Sequence, residues 1–180
     1  MSSPDASLGM MIGREAGTAL AGDAPLTVSA AQVRQLGNQV PAGATVDGCA
    51  DRITFPTTAV TVVIEAVPAN NPDMTFRIAG LVNPTVVVPR GAQVNLEFIN
   101  ADSDEAHAFV ITADQPPFAF HPAAPPAFPG SVAGPIGDPT ATGQGARAIE
   151  FTATTSGSYQ YLCPMPGHAQ MGMHGSFVVQ

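Results

Sequence analysis

From residue 53 to its end, the chain consists of short runs rich in Val, Ile, Thr and Phe, separated by Pro, Gly, Asn and Asp. Such runs between turn-forming residues are typical of β-strands. We predict strands near 53–55, 59–67, 74–79, 85–88, 93–100, 107–112, 147–153, 158–162 and 175–179. Because each short strand must bury an apolar face against another layer, the pattern predicts an all-β domain built as a two-sheet sandwich.

The segment 93–100 shows the alternation of a strand with two different faces. One face is apolar and the other polar, with Val94, Leu96 and Phe98 opposed to Gln93, Asn95 and Glu97. Between residues 115 and 145 the composition changes to Pro, Gly and Ala. We predict one long loop there, partly packed against the core through Phe118, Phe120 and Phe128.

Upstream of the strands, the sequence predicts one short helix at residues 30–36. Ser29 is a suitable N-cap and Gly37 a suitable stop for that helix. Residues 1–25, rich in Gly, Ala and Ser, are predicted to form a flexible or weakly helical tail. The remaining residues, 26–180, are enough for a single domain with a substantial core.

The last eighteen residues contain a metal-binding pattern made of Cys163, His168 and Met173. Four residues separate each of these from the next. A thiolate, an imidazole and a thioether are ligands that copper accepts in both of its oxidation states. The pattern needs a second imidazole from elsewhere in the chain. His107 is the candidate, because it begins an apolar run directly after a short acidic loop.

Two His, one Cys and a long axial Met are the donors of electron-transfer copper sites. We therefore predict one mononuclear copper held by His107, Cys163, His168 and Met173. Pro and Gly residues in the 163–175 loop restrict its path around the metal.

Other residues with chemical potential are assigned less specific roles. Cys49 is expected to be a free or buried thiol acting as a small apolar side chain. His121 is expected to have no metal-binding role, and His174 to point away from the metal. Met165 and Met171 are expected to line an apolar docking patch around His168 or to pack within the loop.

The charge balance restricts the partners of the protein. Fourteen acidic residues oppose six basic ones, all of them Arg, which gives a net charge of −8. Nucleic acid is excluded as a partner, because phosphate binding depends on clustered Lys and Arg. No apolar run is long enough to span a membrane. The N-terminus lacks the pattern of a signal peptide, so we expect such a signal to have been removed or never present.

Beyond the loop, the chain resembles the cupredoxin family of blue-copper proteins. The resemblance rests on the segments 83–100, 107–112 and 157–168, followed by Gly172, Met173 and Gly175, and it extends over residues 26–180. It implies a Greek-key β-sandwich, an extracytoplasmic location and electron exchange through the exposed edge of His168. It also implies the same four copper ligands. One position departs from the family: Ala108 stands where a polar side chain often links the two ligand segments.

Three functions remain to be separated. An electron carrier would exchange single electrons with redox proteins such as a c-type cytochrome, an iron-oxidising system or a terminal oxidase, and would act as a monomer. A copper-delivery protein would use Met165, Met171 and His174 to capture and release Cu(I). An enzyme of the multicopper type would need His-x-His pairs, and the sequence contains none. We therefore predict that the protein is not an enzyme.

Overall fold

Two β-sheets pack face to face in the computed structural model, which describes residues 26–180. The predicted tail at 1–25 lies outside these residues. One helix, α1, covers Ala30–Leu36. The strands are β1 Leu26–Val28, β2 Thr45–Asp47, β3 Arg52–Thr54, β4 Ala59–Ala66, β5 Phe76–Ile78, β6 Leu81–Val82, β7 Thr85–Val88, β8 Ala92–Asn100, β9 His107–Thr112, β10 Val132–Ile136, β11 Gln144–Ala153, β12 Gly157–Leu162 and β13 His174–Val179.

The first sheet has the strand order β1-β11-β8-β4-β5-β6, and the second has β10-β9-β12-β13-β7-β3-β2. Most neighbouring strands are antiparallel. Within residues 26–180, three pairs are parallel: β4 with β8, β7 with β13, and β3 with β7. The consecutive strands β8 and β9 belong to different sheets. Residues 101–106 therefore cross from one sheet to the other, and they place His107 at the end of the sandwich where β8 finishes.

The helix α1 begins and ends where the sequence predicts. Ser29 and Gln32 form a capping box, in which each side chain bonds to the backbone of the other residue. The buried face of α1 carries Val33 and Leu36, which pack in a small apolar cluster with Ile99 of β8. Part of the first sheet is thereby covered on its outer side. No helix within residues 26–180 has the length and apolar character needed to cross a membrane.

The core between the sheets is built around aromatic rings. Phe109 lies with its ring centroid 5.8 to 6.1 Å from those of Phe76, Phe98 and Tyr161. The hydroxyl of Tyr161 donates a hydrogen bond of 2.7 Å to the carbonyl of Pro84. The same hydroxyl contacts the position that a side chain at Gly175 would occupy, so only glycine fits there. This tight packing fixes the strands on both sides of the ligand loop.

The prediction of an uninterrupted loop over residues 115–145 is wrong. Strand β10 lies inside that segment and pairs with β9, and β11 begins before the segment ends. Pro135 interrupts the strand pattern in the sequence, but β10 is an edge strand with a register shift between Ala133 and Ile136. Proline is tolerated at such positions because no ladder hydrogen bond is lost there. Strands β1, β2 and β6 also lacked a sequence prediction.

The three Phe residues of this segment differ in burial. Phe118 and Phe128 are buried, as predicted, and Phe128 packs against Phe151 and Phe177 of the core. Phe120 instead remains 55% exposed. The segment therefore packs against the core at two points and leaves one aromatic ring at the surface.

Glu97 on β8 is buried although it lies on the polar face of its strand. Glu97 is only 7% exposed, and its Oε2 has no hydrogen-bond partner among residues 26–180. By contrast, the buried Glu65 on the neighbouring β4 pairs with Arg77 at 2.9 Å. Burial raises the pKa of Glu97 to about 7, from an ordinary value of 4.5.

This burial predicts that stability falls as pH rises, and that Glu97→Gln removes part of the fall. Because the pKa of Glu97 is higher in the folded than in the unfolded protein, the folded state holds its proton more tightly. The stability that this provides is fully present below about pH 4.5 and is lost as pH rises through about 7. The free energy of unfolding of the variant minus that of the wild type should therefore increase from pH 5 to pH 8, by up to about 3 kcal/mol. Urea unfolding at both pH values measures this difference. If the stability difference between the variant and the wild type were the same at pH 5 and pH 8, Glu97 would have an ordinary pKa in the folded protein.

Candidate metal centre

Three of the predicted donors meet at the end of the sandwich where β8 finishes. His107 opens β9, Cys163 directly follows β12, and His168 lies in the loop that leads to β13. The sulfur of Cys163 lies 3.5 Å from Nδ1 of His168 and 3.9 Å from Nδ1 of His107. The two Nδ1 atoms are 3.2 Å apart. All three side chains are buried, so the donors face one another in a space shielded from water.

These separations fit a single metal ion. First-row metals bond to imidazole nitrogen at about 2.0 Å and to thiolate sulfur at about 2.3 Å, so donors that share one ion stand about 3 to 4 Å apart. Within residues 26–180, His107, Cys163 and His168 form such a compact donor group. One soft sulfur and two imidazole nitrogens are the set expected for copper.

Met173 closes the loop that carries these donors. It is fully buried, and its backbone N–H donates to the carbonyl of His168 at 3.0 Å. Its own carbonyl accepts a 3.1 Å hydrogen bond from the N–H of Cys163. Cys163, His168 and Met173 therefore belong to one buried, hydrogen-bonded loop, as their spacing in the sequence indicates. His107 joins them from β9.

The loop is held from outside by Asn83, which sequence reasoning missed. The side-chain amide of Asn83 donates to the carbonyl of Gly172 at 3.0 Å, and its oxygen accepts from the N–H of Phe76 at 2.8 Å. Within the loop, Gly167 adopts a φ of +83° and lies against the ring of Phe120. Both the backbone angle and the close approach require glycine. The ligand loop is thus tied to the first sheet and to the 115–145 segment.

The sulfur of Cys163 receives backbone hydrogen bonds. The N–H of Ala108 lies 3.4 Å from it, and the N–H of Met165 also donates to it. Burial raises the pKa of the Cys163 thiol above its usual range, and these two N–H groups oppose that effect. Ala108 has no polar side chain to link the segment of His107 to the segment of Cys163. Its backbone N–H makes that link instead.

The ring of His168 combines burial with an acidic neighbour. Burial and the nearby His107 lower the pKa of His168, which favours the neutral ring that can bind a metal. Its Nε2 lies 3.8 Å from a carboxylate oxygen of Glu105, a residue whose side chain is 49% exposed. The edge of His168 away from the donor group thus faces an acidic part of the surface.

The other ring, that of His107, contacts Asp102. The Nε2 atom of His107 lies 2.8 Å from Oδ2 of Asp102, and both side chains are buried. Burial acts to raise the pKa of Asp102, but hydrogen bonds from His107, Asp104 and Ser103 outweigh it and lower that pKa. Sequence reasoning missed Asp102. The available signal was a carboxylate five residues before a candidate ligand, since metal-bound His rings commonly donate to carboxylates.

The remaining predicted residues have the following positions. Cys49 is a free thiol, as predicted, but the alternative that it is buried is wrong, because it is exposed in the turn after β2. The His174 ring packs edge-on against Phe118, with centroids 5.0 Å apart, and it is outside the compact donor group. His121 is exposed and also lies outside that group.

The two additional Met residues of the loop differ from each other. Met171 is 61% exposed, whereas Met165 is partly buried and packs against the core. Met171 is therefore the exposed apolar residue expected near His168. Met165 follows the alternative expectation and packs inside the protein.

Comparisons with known proteins agree with this geometry. The family model for copper-binding proteins of the plastocyanin/azurin family matches residues 66–180. Rusticyanin of Acidithiobacillus ferrooxidans is 37% identical over 131 residues, which cover 72% of this chain and 82% of the relative. Rusticyanin of Acidithiobacillus ferridurans is 35% identical over 131 residues, which cover 72% of this chain and 68% of that relative.

Solved structures give the same result. The 1.27 Å structure of rusticyanin from Thiobacillus ferrooxidans superposes with a TM-score of 0.78 at 31% identity, covering 87% of this chain and 97% of that one. Reduced rusticyanin has a TM-score of 0.78 at 32% identity, with 87% and 100% of the two chains covered. The predicted sandwich fold is thus confirmed as the cupredoxin fold.

These likenesses settle the general role. The family consists of blue-copper electron carriers, not of enzymes, and the cofactor is one type 1 copper per chain. The fold, the buried donor set and the similarity to rusticyanins all lead to the same assignment. The chain belongs to the plastocyanin/azurin family of copper-binding proteins, within which it is a rusticyanin-like cupredoxin.

Proposed function

We propose that His107, Cys163, His168 and Met173 bind the copper, and that the protein carries single electrons between exported redox partners of a respiratory or iron-oxidation-like chain. The observation that carries this proposal is the convergence of two imidazole Nδ1 atoms and one thiolate sulfur within 3.9 Å of one another in a buried space. When bound, copper supplies one-electron chemistry by alternating between Cu(II) and Cu(I).

The contribution of the chain is to keep the donors in one arrangement. Backbone bonds from Met173 to Cys163 and His168 close the loop, and Asn83 fastens it to the first sheet. A loop fixed in this way allows little rearrangement when the charge of the site changes by one, which favours fast electron exchange. Burial of the donors keeps water from adding as a further ligand.

Electrons would enter and leave through a surface that we call the His168 face, comprising His168, Phe120 and Met171. The two exposed side chains, Phe120 and Met171, both lie against Gly167, the residue next to His168. An apolar patch of this kind suits brief docking of another protein. Acidic Glu105 borders the patch at 3.8 Å from His168. A basic partner such as a c-type cytochrome or a terminal oxidase domain matches this combination.

The acidic border predicts that electron exchange with a basic cytochrome slows as salt is added. Attraction between exposed charges raises association rates and is screened by salt. Glu105→Gln should reduce the rate about two- to fivefold at low ionic strength, with little effect at high ionic strength. Stopped-flow reduction kinetics measure both rates, and Glu150→Gln, which removes the same charge from the middle of β11, serves as the control. Equal rates at low and high salt for the wild type would contradict electrostatic docking.

The second candidate function is copper delivery, suggested by the exposed thioether of Met171 beside the site. Against it, Met165 packs against the core and the His174 ring packs against Phe118. A competing Cu(I) chelator separates the two functions. An electron carrier should lose copper far more slowly than it exchanges electrons, whereas rapid and complete transfer to the chelator would support delivery.

The location and oligomeric state belong to the same proposal. The rusticyanins that this chain resembles are extracytoplasmic, and an exported carrier that docks through one small face is best served by a monomer. Cell fractionation with an antibody to this chain tests the location. Sedimentation of the copper-loaded protein tests the monomer, and a dimer that buries Met171 would contradict the proposed docking face.

A further inference from the structure

Asp102 is a buried carboxylate that directly contacts a proposed copper ligand. Its Oδ2 lies 2.8 Å from Nε2 of His107, and its Oδ1 accepts hydrogen bonds from the N–H groups of Ser103 at 2.6 Å and Asp104 at 3.3 Å. The side chain is 7% exposed. Both carboxylate oxygens are therefore engaged, and one of them is directed at the ring.

The position of this carboxylate is fixed by Asn100, the last residue of β8. The oxygen of Asn100 accepts from the N–H of Asp102 at 3.2 Å. Its amide donates to the carbonyls of Glu105 at 2.9 Å, Ile136 at 3.0 Å and Gly137 at 3.1 Å. The loop that carries Asp102 is thus held between both sheets by contacts within the protein.

We propose that Asp102 is a positioning residue for the copper site, which directs the Nδ1 lone pair of His107 to the metal and favours the oxidised ion through its negative charge. This inference rests on the proposed function, in which His107 is a ligand. An ionised carboxylate can only accept hydrogen bonds, so Nε2 of His107 must carry the ring proton. The lone pair is then on Nδ1, the atom that faces Cys163 and His168.

The charge has a separate effect. Cu(II) carries one more positive charge than Cu(I), so a carboxylate on the far side of a ligand ring stabilises the oxidised state more than the reduced state. Within residues 26–180, Asp102 forms its ion pair with His107 and not with an Arg, so no guanidinium offsets this charge. The same fold with an uncharged residue at this position would hold Cu(I) relatively more tightly.

Two variants separate the two effects. Asp102→Asn keeps an acceptor oxygen of the same size but removes the charge, while Asp102→Ala removes both. Asp114→Asn removes the same charge from an exposed residue beyond the end of β9 opposite His107 and is the control. The readouts are the reduction potential of the copper-loaded protein and, for the copper-free protein, the ring-nitrogen chemical shifts of His107 measured by NMR.

For Asp102→Asn we expect the Cu(I) state to gain about tenfold over Cu(II), which is a rise of about 59 mV in potential. The His107 tautomer should stay as in the wild type. Asp102→Ala should also populate the other tautomer in the copper-free protein. Asp114→Asn should change the ratio of Cu(I) to Cu(II) affinity by less than about twofold. An unchanged or lowered potential in Asp102→Asn would overturn the proposal, as would an equal rise in Asp114→Asn.

The copper-free measurement distinguishes this proposal from the proposed function. If the wild type takes up no copper in a blue site, the proposed function fails. Should the ring nitrogens of His107 nevertheless respond to Asp102→Ala, the positioning contact remains established. A His107 tautomer that is identical in the wild type and in Asp102→Ala would overturn the positioning role whatever the copper result.

Discussion

Replacing Cys163 with Ser is expected to abolish the blue colour of the copper-loaded protein. The intense visible absorption of such sites arises from charge transfer between thiolate and Cu(II), and a hydroxyl does not supply it. Serine is also a harder and far less acidic ligand, so Cu(II) affinity should fall by more than about 100-fold, beyond the 10- to 100-fold loss typical of groups that only support a ligand. The visible spectrum and the copper content after dialysis measure the two effects.

The chain provides a matched control for this experiment in its second cysteine. Cys49 is exposed and lies outside the donor group, so Cys49→Ser should keep the full absorption and one copper per chain. Both variants should retain the unfolding midpoint of the copper-free wild type within the error of urea denaturation. A blue band that survives in Cys163→Ser, or that disappears in Cys49→Ser, would show that the sulfur ligand has been assigned wrongly.

Phe109→Ala is expected to give the largest loss of stability. The ring of Phe109 is fully buried, and it contacts Phe76, Phe98 and Tyr161 at the centre of the core. Removing such a ring deletes buried apolar area and leaves a cavity that tightly packed neighbours cannot fill. The free energy of unfolding of the copper-free protein should fall by about 3 to 5 kcal/mol. Urea denaturation followed by circular dichroism measures the change.

A second phenylalanine serves as the comparison. Phe120 is 55% exposed, so Phe120→Ala should cost less than about 1 kcal/mol. The two variants remove the same atoms from opposite environments. Similar costs for both, or a cost below about 1 kcal/mol for Phe109→Ala, would contradict the description of the core.

The features predicted correctly from sequence are those that depend on local chemistry. Ser29 and Gly37 mark the ends of α1, because capping involves residues only a few positions apart. The Cys163 to Met173 spacing lies within one loop, so its pattern can be read directly. His107 was found because copper requires a further imidazole, although its position next to Cys163 depends on the pairing of strands in the second sheet.

The features that were missed depend on contacts between distant parts of the chain. Strand β10 is stabilised by pairing with β9, and its Pro135 hides the strand pattern. The burial of Glu97 follows from the covering of a strand face that sequence alternation can only label as polar. Asp102 gains its role from the ring of His107 and the bonds of Asn100, neither of which has a periodic signature.

Titration of the copper-free wild type with Cu(II), followed by its visible absorption, tests the central claim most directly. The structure brings two imidazole nitrogens and one thiolate sulfur within bonding reach of one ion. An intense blue band should therefore grow until one equivalent is added, disappear on one-electron reduction and return fully on reoxidation. Absence of the band, or a colour that does not return after reduction, would contradict a mononuclear blue-copper electron carrier.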